Sequence, residues 1–172
     1  MKLFDSHHHL WNLQILDYTW LKQIGSPKPF GDPTPIQKDY VREDFLSDVA
    51  KNNKINLSGS VHIQVDSALA DPVTETRWLS KFIPEGIPSG IVGYVDLTKE
   101  DAEDVLIRHL TYPKFRGVRQ IIAMLEKRPD LSFADENLLL NKCWQKSFAL
   151  LEKHNLSFDL QLYPEQMNES AE

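Results

Sequence analysis

The sequence has little cysteine, no long apolar run and no excess of positive charge. Cys143 is the one cysteine among 172 residues, so no disulfide can form within the chain, and we expect a reducing compartment. We interpret Cys143 as a small buried hydrophobic residue rather than a reactive thiol. No window is apolar enough for a signal peptide or a membrane span. These absences predict a cytoplasmic protein with no membrane partner.

The balance of charges excludes another class of partner. The chain has 19 Lys and Arg residues against 25 Asp and Glu residues, which gives a net charge of −6. Nucleic acids and anionic lipids would be repelled by this charge. The composition, 41% hydrophobic and 26% charged, is typical of a globular protein. At this length we expect residues 1–172 to form a single domain.

Apolar strand patterns alternate with helical patterns along the chain. Five predicted strands begin at Lys2, Gly59, Gly90, Phe115 and Leu156. Predicted helices cover 41–50, a stretch that begins at Asp71, 102–110 and 136–154, and another begins at Pro164. Residues 25–35, rich in glycine and proline, predict a long loop. This order is typical of parallel α/β folds, and it leaves a doubly wound open sheet and a (β/α)8 barrel as alternatives.

A glycine-rich turn is absent after the first strand, which counts against a dinucleotide-binding fold. Polar residues instead cluster where strands end, and these are His7, His9, Gln64, Asp96, Arg119, Gln161 and Tyr163. A barrel places its active site at this end of its strands. Because a complete barrel takes about 250 residues, we expect a TIM-barrel type fold with only about its first five β/α units.

His7 and His9 are the centre of this predicted site. Alternate side chains of an extended strand share a face, so Asp5, His7 and His9 are expected to point the same way and His8 the opposite way. Two imidazoles on one face suit a divalent metal or a substrate carbonyl. We expect His8 to pack between the strand and a helix.

The motifs around these residues resemble the amidohydrolase-related (amidohydrolase 2) family, close to L-fuconolactonase and L-rhamnonolactonase. Similar segments run in order over 5–11, 17–21, 62–64, 75–79, 93–97, 115–119 and 158–166. The resemblance implies a (β/α)8 barrel that hydrolyses a sugar-acid lactone by water attack on the lactone carbonyl. It also implies that His7 and His9 lie at the barrel mouth as catalytic residues.

Further roles follow from the resemblance. His7 and His9 would bind a divalent metal, with zinc as one candidate, although some family members hydrolyse lactones without a metal. Arg119 matches an arginine of the family and would orient the substrate. Gln64, Gln161 and Tyr163 are candidates for hydrogen bonds to the sugar lactone, and we expect Glu75 only to dock its helix on the barrel. The family's water-activating aspartate belongs to the eighth strand and is expected outside this chain.

Three alternatives remain open at this point. The chain is a lactonase-like hydrolase, or a truncated, catalytically inactive barrel fragment that needs the missing C-terminal part or a partner chain. The third and weaker alternative is a sugar-binding protein that keeps the pocket but not the chemistry. For Arg119, the alternative to substrate binding is an ion pair with Asp96. Two unpaired sheet edges predict a homo-oligomer. Two histidines are one ligand short of a catalytic zinc site, so we expect metal binding by this chain alone to be weak or absent.

Overall fold

The computed structural model describes residues 1–22, 31–66 and 70–171. The strands are β1 (Lys2–His8), β2 (Asn56–Ile63), β3 (Gly90–Gly93), β4 (Phe115–Val118) and β5 (Ser157–Phe158). The α-helices are α1 (Thr19–Lys22), α2 (Arg42–Ala50), α3 (Val73–Leu79), α4 (Ala102–Leu110), α5 (Lys142–Lys153) and α6 (Met167–Ser170). Short 3-10 helices cover Thr34–Ile36, Ser80–Glu85, Pro129–Leu131, Leu138–Leu140 and Pro164–Gln166.

The strands form one parallel sheet whose order, β1-β2-β3-β4-β5, follows the chain. A doubly wound sheet reverses its strand order at a switch point, and this sheet does not. Helices lie between successive strands, as in a (β/α)8 barrel. The five strands therefore form a half-barrel, and the predicted fold class is confirmed.

The helices pack against one face of the sheet. Leu79 of α3, Leu106 of α4 and Val118 of β4 are fully buried in one hydrophobic cluster. Gly93 of β3 faces the same layer, because a Cβ built there would lie 2.9 Å from the rings of His109 and Phe115. Side chains as large as alanine would force these helices outward, so the close approach explains the glycine.

The helix predicted over 136–154 is wrong in its first turns. The structure has a 3-10 turn at Leu138–Leu140, and α5 begins only at Lys142. The Asn141 side chain accepts hydrogen bonds from the backbone N–H groups of Cys143 and Trp144, both at 3.0 Å. This N-cap starts a new helix and separates it from the preceding apolar residues.

Other predictions need smaller corrections. Strands β3, β4 and β5 end earlier than their apolar patterns predicted, whereas the helices predicted over 41–50 and 102–110 are confirmed to within one residue. Cys143 is exposed, so its interpretation as a buried residue is wrong, and Trp144 takes the buried position. Residues 25–30 of the predicted loop lie outside the described residues. Of the helices that are described, none is long and apolar enough to span a membrane.

Candidate functional site

His7 and His9 converge at the end of β1. Their Nε2 atoms are 3.2 Å apart, and their rings are nearly perpendicular, at 83°. The Nδ1 atom of His9 lies 2.8 Å from the carbonyl oxygen of Ile63. A carbonyl can only accept, so Nδ1 of His9 carries the proton and its Nε2 presents a lone pair. The neighbouring strand therefore fixes both the orientation and the tautomer of His9.

The backbone of β1 is irregular just before this pair. Asp5 is opposite Ser60 and His8 is opposite His62, so β1 has one more residue than β2 in this interval. Such a bulge re-aims the side chains that follow it. The Asp5 side chain accepts a hydrogen bond from the backbone N–H of His7, at 3.1 Å. The bulge interrupts the predicted alternation between Asp5 and His7. The Asp5 side chain binds the backbone within the bulge and does not point with the two histidines.

His8 points to the opposite side, as the alternation predicted. Its ring stacks on Phe45 of α2, with centroids 4.4 Å apart, and the side chain is buried. Burial, with a smaller contribution from nearby His62, lowers the pKa of His8 to about 3. A histidine that stays neutral against an aromatic ring is a packing residue, so the prediction for His8 is confirmed.

Burial also lowers the pKa of His9, to about 4, and the charge of Arg119 acts in the same direction. The hydrogen bond to Ile63 opposes this shift only in part. His9 is therefore neutral at physiological pH. A neutral imidazole with a free Nε2 lone pair is the form that binds a metal or accepts a hydrogen bond.

Arg119 follows β4 and is only 6% exposed. Its guanidinium donates to the carbonyl oxygen of Gln64 and, at 3.3 Å, to Oε1 of Gln161. Within the described ranges, no carboxylate lies within ion-pair distance of it. The expected alternative, an ion pair with Asp96, is not formed, because Asp96 accepts from Gln120 and Thr98. Arg119 thus carries a buried charge that a carbonyl oxygen or an anion would complement.

Asp159 is a candidate that the sequence reasoning missed. It directly follows β5, and its Oδ2 lies 3.9 Å from Nδ1 of His7. The signal was present in the sequence, since Asp159 is two residues before Gln161 and alternate residues of an extended segment share a face. The structure thus adds a carboxylate beside the histidine pair.

The remaining predicted residues divide into two groups. Gln64 donates from Nε2 to the carbonyl oxygen of Arg119, at 3.3 Å, so it belongs with Arg119 and Gln161. The hydroxyl of Tyr163 instead donates to the carbonyl oxygen of Leu131, at 2.7 Å, and ties β5 to the loop after β4. Arg119, Gln64 and Gln161 therefore form one hydrogen-bonded cluster. His9 lies next to this cluster through its contact with Ile63, the residue before Gln64, whereas Tyr163 lies apart.

A polar cavity of about 270 Å³ lies at the carboxyl ends of β3 and β4. Its lining includes four carboxylate residues, which are Asp66, Asp96, Asp135 and Glu136, and no Lys or Arg. The cavity lies beside the Arg119 cluster, since Gln120 lines it, but neither His7, His9 nor Arg119 does. Its negative potential disfavours anionic ligands.

A divalent metal fits the histidine pair in part. Two nitrogen ligands of a tetrahedral zinc, each about 2.0–2.1 Å from the metal, lie about 3.3 Å from each other. The 3.2 Å between the two Nε2 atoms matches this separation. Among residues 1–22, 31–66 and 70–171, however, no group of three His, Cys, Asp or Glu side chains can hold a metal ion. The described residues at this point thus offer no more than two histidine nitrogens, which do not complete a tetrahedral shell.

Comparison with known proteins identifies a sequence relative and several structures of the same fold. No family model matches this chain. The uncharacterised protein y4mH of Sinorhizobium fredii is 40% identical over 171 residues, which cover 99% of this chain and 57% of that protein. Amidohydrolase 2 from Bifidobacterium longum subsp. infantis superposes with a TM-score of 0.62 at 16% identity, over 99% of this chain and 55% of that chain.

An amidohydrolase from Burkholderia multivorans is similar in two structures. The structure with bound HEPES gives a TM-score of 0.67 and covers 96% of this chain and 50% of that chain. The structure with bound zinc gives a TM-score of 0.65 and covers 96% of this chain and 51% of that chain. Both are 19% identical to this chain in sequence. At this identity the likeness shows the fold. The chain has the same half-barrel architecture as the matched part of these structures, and it spans about half the length of the proteins that it matches.

Proposed function

We propose that this chain belongs to a hydrolase of the amidohydrolase-related family that opens a sugar-acid lactone by water attack on the carbonyl. The convergence of His7 and His9 at the end of β1, where their Nε2 atoms are 3.2 Å apart, carries this proposal. The shared fold supports it, because barrel enzymes build their active sites at this end of the strands.

In this proposal Arg119 binds the oxygen on which charge develops. Its Nε is buried and lacks a hydrogen-bond partner among the described residues. A preorganised, buried guanidinium stabilises an oxyanion more strongly than a solvated one. Gln64 and Gln161 hold Arg119 in place through the two contacts described above. Arg119 therefore orients the lactone carbonyl toward the histidine pair.

His7 and His9 act on the carbonyl or on a bound divalent metal. If a metal is bound, it supplies Lewis-acid polarisation and an activated water. The protonated Nδ1 of His9, held by Ile63, keeps its Nε2 lone pair directed at the site in either case. Asp159 lies beside the pair, with its Oδ2 3.9 Å from Nδ1 of His7.

The acidic cavity beside Arg119 supports a neutral, polyhydroxylated substrate. Carboxylate oxygens accept hydrogen bonds from sugar hydroxyl groups. Hydrolysis turns the neutral lactone into a carboxylate, which the negatively charged lining would repel. A sugar lactone as substrate and a sugar acid as product match this electrostatic pattern.

A second candidate is a barrel portion that is inactive until another segment or chain completes its site. The observation that favours it is the incomplete ligand set, since the described residues contain no group of three metal-binding side chains. The same chain covers 50–57% of the proteins it resembles. Its partner would then be the rest of the barrel.

The two candidates are separated by assaying the chain with sugar γ- and δ-lactones, with and without Zn²⁺ or Mn²⁺. We expect hydrolysis that His9→Asn and Arg119→Lys each reduce by about 10²-fold or more, because a lysine cannot reproduce the two-point hold of the guanidinium. Arg116→Lys, which changes an exposed arginine on the strand that precedes Arg119, should not affect the rate. Absence of turnover under every condition would refute activity of this chain and leave the second candidate.

A further inference from the structure

Two buried polar residues behind the histidine pair have no role in the proposed reaction. His62 of β2 is fully buried, and Glu75 of α3 is 3% exposed. Nδ1 of His62 lies 3.2 Å from the backbone nitrogen of Leu10, whose N–H can only donate. Nδ1 of His62 is therefore an acceptor, and the proton of the neutral ring is on Nε2. That Nε2 lies 3.6 Å from Oε1 of Glu75.

Glu75 is a buried acidic residue that accepts a hydrogen bond from one neutral donor, and Nε2 of His62 lies just beyond hydrogen-bond distance of it. The hydroxyl of Tyr18 donates to its Oε1 at 3.2 Å. Burial, together with Glu75, raises the pKa of Tyr18 above its ordinary value, so the hydroxyl stays protonated. No Lys or Arg of the described segments forms an ion pair with Glu75. Because an unpaired buried carboxylate is costly, a fold that keeps one here needs it for more than packing.

The contacts of His62 reach the predicted site through the backbone. Two consecutive residues of β2, His62 and Ile63, form hydrogen bonds with the two residues that directly follow β1, Leu10 and His9. The carbonyl oxygen of Ile63 accepts from the ring of His9, and the ring of His62 accepts from the backbone N–H of Leu10. Strand β1 ends at His8. Beyond that residue, these two side-chain contacts take the place of the backbone hydrogen bonds between β1 and β2.

We propose that His62 and Glu75 are positioning residues for the His7–His9 pair. The carboxyl group of Glu75, which lies 3.6 Å from Nε2 of His62 and is not hydrogen-bonded to it, orients the His62 ring electrostatically. The His62 ring in turn accepts from the backbone N–H of Leu10, and the ring of His9 is thereby kept on Ile63 with its Nε2 directed at His7. The catalytic importance of this relay rests on the proposed function, whereas its geometry does not.

The test uses the chain labelled with 15N-histidine and long-range 1H–15N spectra, which report the tautomer of each ring. In the wild type we expect a proton on Nε2 of His62 and on Nδ1 of His9. His62→Asn keeps an oxygen near the position of Nδ1 and should leave His9 unchanged. His62→Leu removes the acceptor, and we expect mixed tautomers of His9 and about tenfold faster amide exchange at Leu10.

Glu75 gives a second pair of variants. Glu75→Gln keeps a polar oxygen near Nε2 of His62 and should leave the His9 tautomer as in the wild type, whereas Glu75→Leu should disturb it as His62→Leu does. His109→Gln is the matched control, because it alters another buried histidine that contacts Thr76 and Tyr94. It should lower thermal stability and leave the tautomer of His9 unchanged.

Two results would overturn the proposal. One is a proton on Nδ1 of His62 in the wild type, and the other is an unchanged His9 tautomer in folded His62→Leu and Glu75→Leu. The outcome does not depend on turnover. A chain without lactonase activity that shows the expected spectra would refute hydrolysis by this chain and retain the positioning relay.

Discussion

At the residue scale, His109 shows how burial controls protonation in this fold. It is fully buried on α4, its ring stacks on Phe115, and its two nitrogens lie 3.0 Å from the Thr76 hydroxyl and the Tyr94 carbonyl oxygen. The carbonyl must accept, so Nε2 carries the proton and Nδ1 accepts from Thr76. Burial lowers the pKa of His109 to about 4, although its bond to Tyr94 acts in the opposite direction.

This lowered pKa predicts a loss of stability at mildly acidic pH. The unfolded chain has an ordinary histidine pKa near 6.5, so between pH 6.5 and 4 it binds more protons than the folded chain. The contribution of His109 to the free energy of unfolding is therefore complete above pH 6.5, and it is lost as the pH drops toward 4. His8, with a pKa of about 3, acts in the same direction.

We expect His109 to contribute a decrease of about 2 kcal/mol between pH 7.5 and 5. Urea unfolding at both pH values, for the wild type and for His109→Gln, measures this difference. The variant should be less stable at pH 7.5 but should lose less stability on acidification. An equal loss in the two proteins would show that His109 is not the group responsible.

The sequence predicts only part of the site at this scale. Alternation along an extended strand was sufficient to place His7 and His9 on one side and His8 on the other. The partners of Arg119 could not be found in this way, because Gln64 and Gln161 are 55 and 42 residues away in the chain. Contacts between distant strands depend on the register of the sheet. The β1–β2 pair and the β3–β4 pair each contain register shifts that no local pattern indicates.

At the scale of elements, polar caps decide boundaries that the apolar pattern leaves open. The apolar residues before α5 continue with helical spacing, which is why the sequence predicted one helix over 136–154. Asn137 and Asn141 each accept a backbone N–H and divide this stretch into a 3-10 turn and a helix. The ends of β3 and β4 were predicted too late because the apolar character of the sequence continues beyond their last paired residues, Gly93 and Val118.

The cap at Asn141 gives a prediction for this helix. Asn141→Ala removes the acceptor for the N–H groups of Cys143 and Trp144 and should lower the free energy of unfolding by about 1 kcal/mol. Asn141→Asp should retain most of the stability, because its carboxylate caps equally well and favours the positive end of the helix dipole. Urea unfolding of the three proteins at pH 7.5 measures the effect. Equal stability of Asn141→Ala and the wild type would contradict the assigned cap.

At the scale of the whole molecule, strand order separates the two architectures that the sequence left open. The strand–helix alternation predicted a parallel sheet but not the order of its strands, because order depends on the side to which each crossover turns. The observed order follows the chain throughout. A continuous order with helices between successive strands gives the half-barrel, in which the carboxyl ends of the parallel strands lie at the same end of the sheet.

The half-barrel has two outer strands, and its outer edges predict self-association. In the part of the chain that the structure describes, β1 pairs only with β2 and β5 only with β4. An unpaired edge offers free backbone N–H and C=O groups to another chain, and a charged side chain on the edge opposes such pairing. The edge of β1 is seven residues long and carries Phe4, which is 53% exposed.

We therefore expect the weight-average mass in sedimentation equilibrium to rise with protein concentration. Phe4→Lys should shift this rise to about tenfold higher concentration, since the added charge disfavours edge-to-edge pairing. Leu140→Lys is the matched control, because it places the same charge on a more exposed apolar residue outside the sheet, which is 63% exposed. Thermal unfolding checks that both variants remain folded. A wild-type chain that stays monomeric at every concentration, or an equal effect of the two substitutions, would show that the β1 edge does not carry the association.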